Sequence, residues 1–283
     1  LNKIMDSLFI ILVGALVSIN CSIIGSYLML KKMSMIGDAI SHSILPGIVI
    51  SFLITKSKTS ITMIIGSSII GVITILIIEF LNKKIKIKKN SSIGIVFTFM
   101  FSLGVILISL FTKKIDLDQE CVLYGELSYV PLNLWITKNG INLGPKPIYI
   151  LVIILIINII FVKLNYKELY ITTFDPKFSN TIGINSKIWN YLIMIISSVT
   201  IVTSFESVGS ILVLSMIIIP PATAYLLTKK LKVIIIISGI IGIINSLLGY
   251  FLAYYTDGSI SSAMSIISGI IFFTCFIIKK LKK

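Results

Sequence analysis

The sequence predicts an all-α protein that crosses a membrane about nine times. Two features of its 283 residues carry this prediction: 56% are hydrophobic and only 13% are charged. A soluble domain carries about 25% charged residues, and water-soluble packing cannot hide this much apolar surface. The apolar residues also form runs of about 20, the length that a helix needs to cross a bilayer. We therefore expect lipid to be the solvent of most of the chain.

Nine apolar segments are separated by charged breaks. They cover about 6–30, 33–54, 61–81, 92–112, 148–163, 188–204, 206–227, 232–254 and 260–278. The fifth and sixth segments are short, which leaves a broken or re-entrant helix open at these two places. The first segment is too long for the core of a signal peptide, so we expect it to remain as a helix. Residues 1–283 are expected to form a single transmembrane domain.

The distribution of lysine predicts the orientation in the membrane. All 25 basic residues are lysine, and 18 of them lie in one set of alternate loops, which includes the C-terminus. The opposite set holds only 7. By the positive-inside rule the lysine-rich loops and the C-terminus face the cytoplasm, and nine spans then place the N-terminus outside. Dispersed lysines without arginine argue against a nucleic-acid partner, because base and phosphate recognition favour arginine.

The longer connection on the outer side covers 113–147. Its aromatic residues suit a segment at the membrane interface; they are Tyr124, Tyr129 and Trp135. It also carries an acidic cluster, which consists of Asp116, Asp118 and Glu120. We expect this cluster to attract cations or to help dock a partner, since exposed charges act over about 8–10 Å at physiological salt. A solvated loop without a function is the alternative.

The longer connection on the cytoplasmic side covers 164–187 and is polar. Within it, Asp175 can cap the N-terminus of a short helix whose first residue is Pro176. Residues 177–181 can continue that helix, and Gly183 can end it. A short capped helix below the membrane could dock a partner and transmit its motion. On chemistry alone, an ordinary structured loop is the slightly better interpretation.

Asp38 and His42 are the clearest functional candidates. Their spacing of four residues places them on one helix face, and His42 lies about 13 Å into the second segment, close to mid-membrane. An ionisable residue at this depth costs about 2.5–3.5 kcal/mol, so it is a functional candidate by default. A carboxylate and an imidazole one turn apart can bind one small divalent cation. The alternative is that the two residues bond to each other and tie two helices together.

Other polar or unusual residues in the spans are more ambiguous. Glu206 is either a boundary residue that faces water or a carboxylate of a transport path. Glu79 adjoins a lysine cluster, which favours a paired or snorkelling surface residue. Pro220 and Pro221 remove two backbone donors and predict a break or a bend in the seventh segment. The three cysteines lie far apart and lack metal-ligand spacing, so we expect them to be inert.

The stretch from Lys31-Lys32-Met33 to Gly47 resembles the most specific motif of the zinc and manganese ABC importer permeases, the ABC-3 family. That motif is a basic pair followed by Ile-Gly-Asp-Ala-x-Ser-His-x-x-x-Pro-Gly. Further blocks resemble the family in the same order along almost the whole chain. They are Ser92 to Phe97, Asp116 to Asp118 with Leu123 to Gly125, Phe174 to Pro176 with Gly183-Ile184, and Val208-Gly209 with Pro220 and Ala222 to Ala224.

The resemblance implies the membrane-spanning permease subunit of an ATP-driven importer for a divalent transition metal, namely zinc, manganese or iron. It implies a type II fold, like that of the vitamin B12 permease, in the bacterial plasma (inner) membrane. Two permease copies would assemble with two ABC ATPase subunits and an extracytoplasmic metal-binding protein. The resemblance also implies that Asp38 and His42 line the metal path, and that Phe174, Asp175 and Pro176 belong to the segment that couples to the ATPase.

On this interpretation the chain is not itself an enzyme, and the metal is its cargo rather than a permanently bound cofactor. The sequence contains no GxxxxGK[ST] phosphate loop, so ATP would be hydrolysed by the partner. Two other functions stay open. A stand-alone secondary transporter for metal or other cations is disfavoured by the polar connection 164–187. An intramembrane hydrolase built on Asp38 and His42 would need a second catalytic group, for which only Glu206 is available.

Overall fold

The computed structural model describes residues 2–55, 60–111, 127–136 and 142–281. Within these ranges the chain forms eleven α-helices. They are α1 Asn2–Leu30, α2 Met35–Thr55, α3 Ser60–Lys83, α4 Lys89–Phe111, α5 Lys146–Leu164, α6 Tyr166–Phe174, α7 Pro176–Thr181, α8 Ser186–Val208, α9 Ser210–Leu227, α10 Leu231–Thr256 and α11 Ile260–Leu281.

Nine of these helices, α1 to α5 and α8 to α11, are long and apolar enough to cross a membrane. This number, counted over the described ranges, confirms the nine predicted spans. Helices α5 and α8 are unbroken and longer than their predicted segments, so neither contains the interruption that the sequence left open. Polar residues at their ends, such as Lys163 and Glu206, made the apolar segments look shorter than the helices are.

The outer connection departs from the all-helical prediction. Its described part begins with a 3-10 helix, Leu127–Leu132, and continues with two short antiparallel strands, β1 Leu134–Ile136 and β2 Asn142–Pro145. The ring of Trp135 stands edge-on to that of Tyr149 on α5, with 5.2 Å between the centroids. An aromatic residue predicted to lie at the interface therefore contacts the first turn of a spanning helix. The acidic cluster of Asp116, Asp118 and Glu120 lies outside the described residues.

Helix α1 is the centre of the larger helix group. It packs against α5, α8, α9 and α10, and its side chains Val13, Val17 and Leu28 are fully buried. Helix α2 packs mainly against α3 and α4, and α8 contacts α1, α2 and α3, so it joins the two groups. Helices α3, α4, α5 and α11 leave many large apolar side chains exposed. Such surfaces are expected where helices face lipid.

Buried polar side chains join α1, α5 and α8. The amide of Asn158 on α5 donates to Oδ1 of Asn20 on α1 at 2.9 Å and lies 3.1 Å from Oγ1 of Thr200 on α8. The amide of Asn20 also donates to the carbonyl of Leu151 at 3.2 Å. Each interhelical bond of this kind contributes roughly 0.6 kcal/mol in a bilayer. Together they fix the positions of α5 and α8 on α1.

Helix α9 continues through Pro220 and Pro221, so the two prolines do not break it. Pro221 has no N–H and cannot donate to the carbonyl of Ile217, four residues earlier. That carbonyl lies against Gly25 of α1, where a Cβ atom would overlap it. A Cα–H of glycine can make a weak contact with a carbonyl at such short range. The close approach of α1 therefore covers the backbone oxygen that the proline leaves without its helical donor.

Candidate metal pathway

Asp38 lies in the first turn of α2, where the positive end of the helix dipole favours a carboxylate. His42 follows one turn later, and its Nε2 lies 3.4 Å from Oδ1 of Asp38. A well-formed hydrogen bond between nitrogen and oxygen is about 2.7–3.2 Å long. The two groups are therefore adjacent but not firmly bonded to each other.

The pair remains accessible although the helix that carries it is largely buried. The side chains of Asp38 and His42 are 37% and 27% exposed, whereas their neighbours Ala39, Ser41 and Ser43 are buried. The hydroxyl groups of Ser41 and Ser43 donate to carbonyls of their own helix, of Gly37 and Ile40 respectively. The carboxylate and the imidazole thus face outward from α2, where a cation could contact both.

The imidazole of His42 is held by aromatic rings of α4. Its ring centroid lies 4.7 Å from that of Phe97 and 5.8 Å from that of Phe101, and both contacts are edge-on. The Nδ1 atom is buried and has no hydrogen-bond partner among the described residues. These contacts were not predicted from the sequence, although two phenylalanines four residues apart share one helix face and could have indicated an aromatic surface. The rings fix the plane of the imidazole without adding a charge.

Pro46 and Gly47 shape α2 next to the pair. Pro46 lies inside the helix, four residues after His42, so the carbonyl of His42 lacks the N–H that would normally bond to it. A Cβ atom on Gly47 would lie only 2.6 Å from Cα of Ser67 on α3, so this position requires glycine. The Pro-Gly sequence therefore weakens the helix ladder beside the pair and allows α3 to pack closely against it.

The spacing of the pair fits a divalent ion. Two ligand atoms that each lie about 2.1 Å from one ion are roughly 3.4 Å apart when they subtend a tetrahedral angle. The separation of His42 Nε2 and Asp38 Oδ1 is 3.4 Å. No third His, Cys, Asp or Glu joins them in a cluster within the described part of the chain. Two protein ligands leave the remaining positions to water or to another molecule, which suits an ion held briefly.

Glu206 lies in the last turn of α8 and is exposed. Helices α2 and α8 start at the same side of the bundle, as their place in the order of spans requires. At 1.5 Å per residue, His42 lies about 10 Å and Glu206 about 30 Å from the start of its helix. Glu206 therefore lies near the opposite end of the bundle from Asp38. Its assignment as a metal ligand of the transport path stays a prediction.

Glu79 is paired, as the sequence predicted, although its side chain is mostly buried. It forms an ion pair with Lys83, one turn later on α3, and is only 12% exposed. The ammonium group of Lys83 also lies over the ring of Tyr191 on α8, 4.9 Å from its centroid. Glu79 thus belongs to a local ion pair at the lysine-rich end of α3.

The connection 164–187 contains the short capped helix that the sequence predicted. The carboxylate of Asp175 accepts a hydrogen bond from the backbone N–H of Phe178 at 2.9 Å, and Pro176 is the first helical residue of α7. Gly183 follows the helix with a φ of +82°, in the region that favours glycine. A second helix, α6, precedes α7 and was not predicted.

Three apolar side chains in the connection 164–187 are exposed. Phe174 ends α6, Phe178 lies in α7 and Ile182 directly follows α7, and they are 48%, 52% and 46% exposed. The ring of Phe174 also lies 4.8 Å from that of Tyr170. We call Phe174, Phe178 and Ile182 the α7 stripe. Exposed apolar residues grouped in one short segment can mark a surface that binds another protein.

Known proteins match this chain along most of its length. The model of the ABC 3 transport family matches residues 5–279. The manganese transport system membrane protein MntD of Bacillus subtilis is 40% identical over 269 residues, which cover 95% of this chain and 90% of that protein. The zinc transport system membrane protein TroD of Treponema pallidum is 34% identical over 269 residues, which cover 93% and 71%.

A solved structure is similar to this chain in fold as well as in sequence. The structure of PsaBC from Streptococcus pneumoniae in complex with Fab matches with a TM-score of 0.77 and 28% identity. The match covers 94% of this chain and 89% of that one. From its sequence and its nine apolar helices, the chain belongs to the ABC 3 transport family and is a multi-pass membrane permease of that family.

Proposed function

We propose that this chain is the permease subunit of an ATP-driven importer for a divalent transition metal, and that the metal passes the Asp38–His42 pair. The relatives named above belong to manganese and zinc transport systems, which supports this class of cargo. The nine apolar helices supply a structure able to enclose a path across the bilayer. Manganese, zinc or iron can use a carboxylate and an imidazole as ligands.

The observation that carries the proposal is the geometry of the pair. Nε2 of His42 and Oδ1 of Asp38 are 3.4 Å apart and partly exposed, so an ion can reach both atoms without displacing a strong hydrogen bond. The alternative, a polar tie between two helices, has less support. Both residues belong to α2, and the α4 rings that contact His42 are apolar.

A second copy of the chain would complete the metal's ligands. The pair supplies two donor atoms on an accessible face, and a tetrahedral ion takes four. If two copies face each other across this surface, the second Asp38–His42 pair provides the other two. We therefore propose that the permease works as a homodimer with the path between the copies.

We further propose that the α7 stripe docks the ABC ATPase. The stripe follows α5 and precedes α8, on the lysine-rich side that the positive-inside rule assigns to the cytoplasm, together with the C-terminus. Its exposed phenylalanines suit a cleft on a partner, and the Asp175 cap makes α7 a short rigid element. ATP hydrolysis then belongs to the partner, and motion passes through α7 to α5 and α8. An extracytoplasmic binding protein would deliver the metal at the opposite side, to which the positive-inside rule assigns the connection 113–147.

The test is metal accumulation in a bacterial strain that lacks its own importer and expresses the complete system with this chain. Asp38→Asn and His42→Gln should each abolish accumulation of the transported metal while the complex still assembles. Glu79→Gln, which removes a paired carboxylate of α3, is the matched control and should leave uptake near the wild-type level. Normal uptake in either pair variant would refute the proposed path. Measuring manganese, zinc and iron separately identifies the cargo, and uptake without any ATPase would indicate a secondary transporter instead.

A further inference from the structure

An apolar groove runs along the outside of the bundle between α5 and α10, with α1 as its floor. It has a volume of about 510 Å³. Its apolar lining consists of Ile23, Ile159, Val162, Ile235 and Ile236. Ile159 and Ile236 are exposed on the two rims, whereas Ile23 is buried beneath them. The groove therefore opens toward the surrounding medium, which for these spanning helices is lipid.

Hydrogen bonds hold both walls of the groove to its floor. On the α10 side, the hydroxyl of Ser22 donates to the carbonyl of Ser238 at 3.2 Å, and the Oγ atoms of Ser26 and Ser238 are 3.4 Å apart. On the α5 side, Asn158 bonds to Asn20. The groove is thus a fixed feature of the fold, as preformed ligand sites usually are.

Polar groups line the groove only at the lysine-rich end of the bundle. Lys163 lies in the last turn of α5, Lys232 in the first turn of α10, and Tyr166 at the start of α6. The ammonium group of Lys232 lies over the ring of Tyr166, 4.8 Å from its centroid. The lining contains two cations and a phenol but no carboxylate. Charge at this end of the groove is therefore positive and uncompensated within the lining.

Lys232 lies in an electrostatically unfavourable position in the first turn of α10. A cation in the first turn of a helix meets the positive end of the helix dipole, an arrangement that favours an anion instead. The face of Tyr166 compensates part of the cost. An external anion between Lys163 and Lys232 would compensate the rest.

We propose that this groove binds an anionic phospholipid of the leaflet on the lysine-rich side. The headgroup phosphate lies between Lys163 and Lys232 with the phenol of Tyr166 as a further donor, and one acyl chain lies along Ile23, Ile159 and Ile236. Basic pockets between spanning helices on the cytoplasmic side are suited to such headgroups. The combination of an apolar trough about one helical turn in length and a basic end fits the headgroup end of a lipid better than a soluble phosphate, which would leave the trough empty.

The bound lipid would sit beside the route to the α7 stripe, because Tyr166 begins α6 and α6 leads directly to α7. The assignment does not depend on the identity of the metal or on the path through α2. Such a site should prefer anionic over zwitterionic lipid, whereas an apolar groove without charged groups should not.

The test uses the full chain reconstituted in vesicles of phosphatidylcholine with either photoreactive phosphatidylglycerol or photoreactive phosphatidylcholine. After illumination, labelled residues are located by mass spectrometry. We expect phosphatidylglycerol to label the α1, α5 and α10 residues of the groove. Because each interfacial lysine contributes about a fivefold gain in binding, Lys163→Gln with Lys232→Gln should weaken this labelling about thirtyfold. The double Lys→Arg variant should retain it.

A matched double variant, Lys86→Gln with Lys88→Gln, removes two exposed lysines at the same end of the bundle and should leave groove labelling unchanged. Equal labelling by both lipids would overturn the proposal by showing an apolar groove without headgroup selection. Competition by soluble glycerol phosphate at similar concentration would also overturn it in favour of a free phosphate site. Cross-links between two copies through Ile159 or Ile236 would identify the groove as an interface of the dimer instead.

Discussion

The ammonium group of Lys31, at the junction between α1 and α2, donates a hydrogen bond to the side-chain oxygen of Asn190 on α8. Burial, together with the nearby charge of Lys89, lowers the pKa of Lys31 to about 8. The bond links the loop before α2 to the start of α8.

The first prediction concerns this titration. Competitive acylation followed by mass spectrometry should show Lys31 becoming half reactive near pH 8 in the folded protein and only in a more alkaline solution after unfolding. Since the folded-state pKa lies below the ordinary 10.5, the unfolded chain binds more protons between these two values, and stability should rise with pH in this window. A midpoint for Lys31 that is the same in the folded and unfolded protein would show that Lys31 is not buried as described.

The second prediction tests the contact between α1 and α9. Gly25→Ala places a methyl group against the carbonyl of Ile217 and should lower stability by about 1–3 kcal/mol, as overpacking does. Gly94→Ala on α4 is the control, since no atom lies within 4 Å of the position of its added Cβ. Thermal unfolding of the purified variants gives the comparison. A Gly25→Ala protein as stable as Gly94→Ala would mean that the two helices are further apart.

The third prediction concerns the rings that hold His42. Phe97→Leu removes an edge-on aromatic contact worth about 0.5–1.5 kcal/mol, so the apparent affinity for metal should fall about two- to tenfold. Phe99→Leu changes an exposed ring two residues away and should have no such effect. Uptake measured over a range of metal concentrations distinguishes them. If both variants transport alike, the rings do not position the imidazole for binding.

The fourth prediction concerns Pro46. Pro46→Ala restores a backbone donor for the carbonyl of His42 and should make α2 more stable, because proline inside a helix costs about 3 kcal/mol. We expect a thermal midpoint no lower than that of the wild type together with slower metal uptake. Uptake at the normal rate in a more stable protein would show that flexibility of α2 at this position is not needed for transport.

The fifth prediction addresses the ATPase. The double variant Phe174→Glu, Asp175→Ala puts a charge in the α7 stripe and removes a cap worth about 1 kcal/mol. It should reduce co-purification of the ATPase and the transport-stimulated hydrolysis of ATP. Asp175→Asn keeps a side chain that can cap and should behave as wild type. Normal binding and coupled hydrolysis in the double variant would exclude this segment as the coupling element.

The nine spans were predictable because the apolar length of a transmembrane helix is a local property of the sequence. The capped helix α7 was predictable for the same reason, since Asp175, Pro176 and Gly183 act within a few residues of one another. Helix α9 shows where prediction from the local sequence fails. Pro220 and Pro221 argue locally for a break, but Gly25 of another helix packs against the backbone beside them.

The candidate site was only partly predictable. Asp38 and His42 share one helix, so their proximity follows from helical geometry. Phe97 and Phe101 reach His42 from α4, and only tertiary packing brings that helix to α2. The charge of Glu206 interrupts the apolar run, so the sequence placed this residue at the start of the seventh segment. In the structure it lies in the last turn of α8. The hairpin of β1 and β2 was missed because both strands are very short.

The two atoms proposed to hold the metal, His42 Nε2 and Asp38 Oδ1, lie on successive turns of a single helix. Their separation is therefore set by the local pitch of α2, and a small stretch or twist of that turn changes it directly. Pro46 removes the backbone bond of the following turn, which would end at the carbonyl of His42, so the turn that carries the pair has less support on that side. On the proposed path, a distortion of that one turn would change how the ion is held. Motion that the ATPase drives through the bundle would then need to reach only this turn of α2 to alter the grip on the cargo.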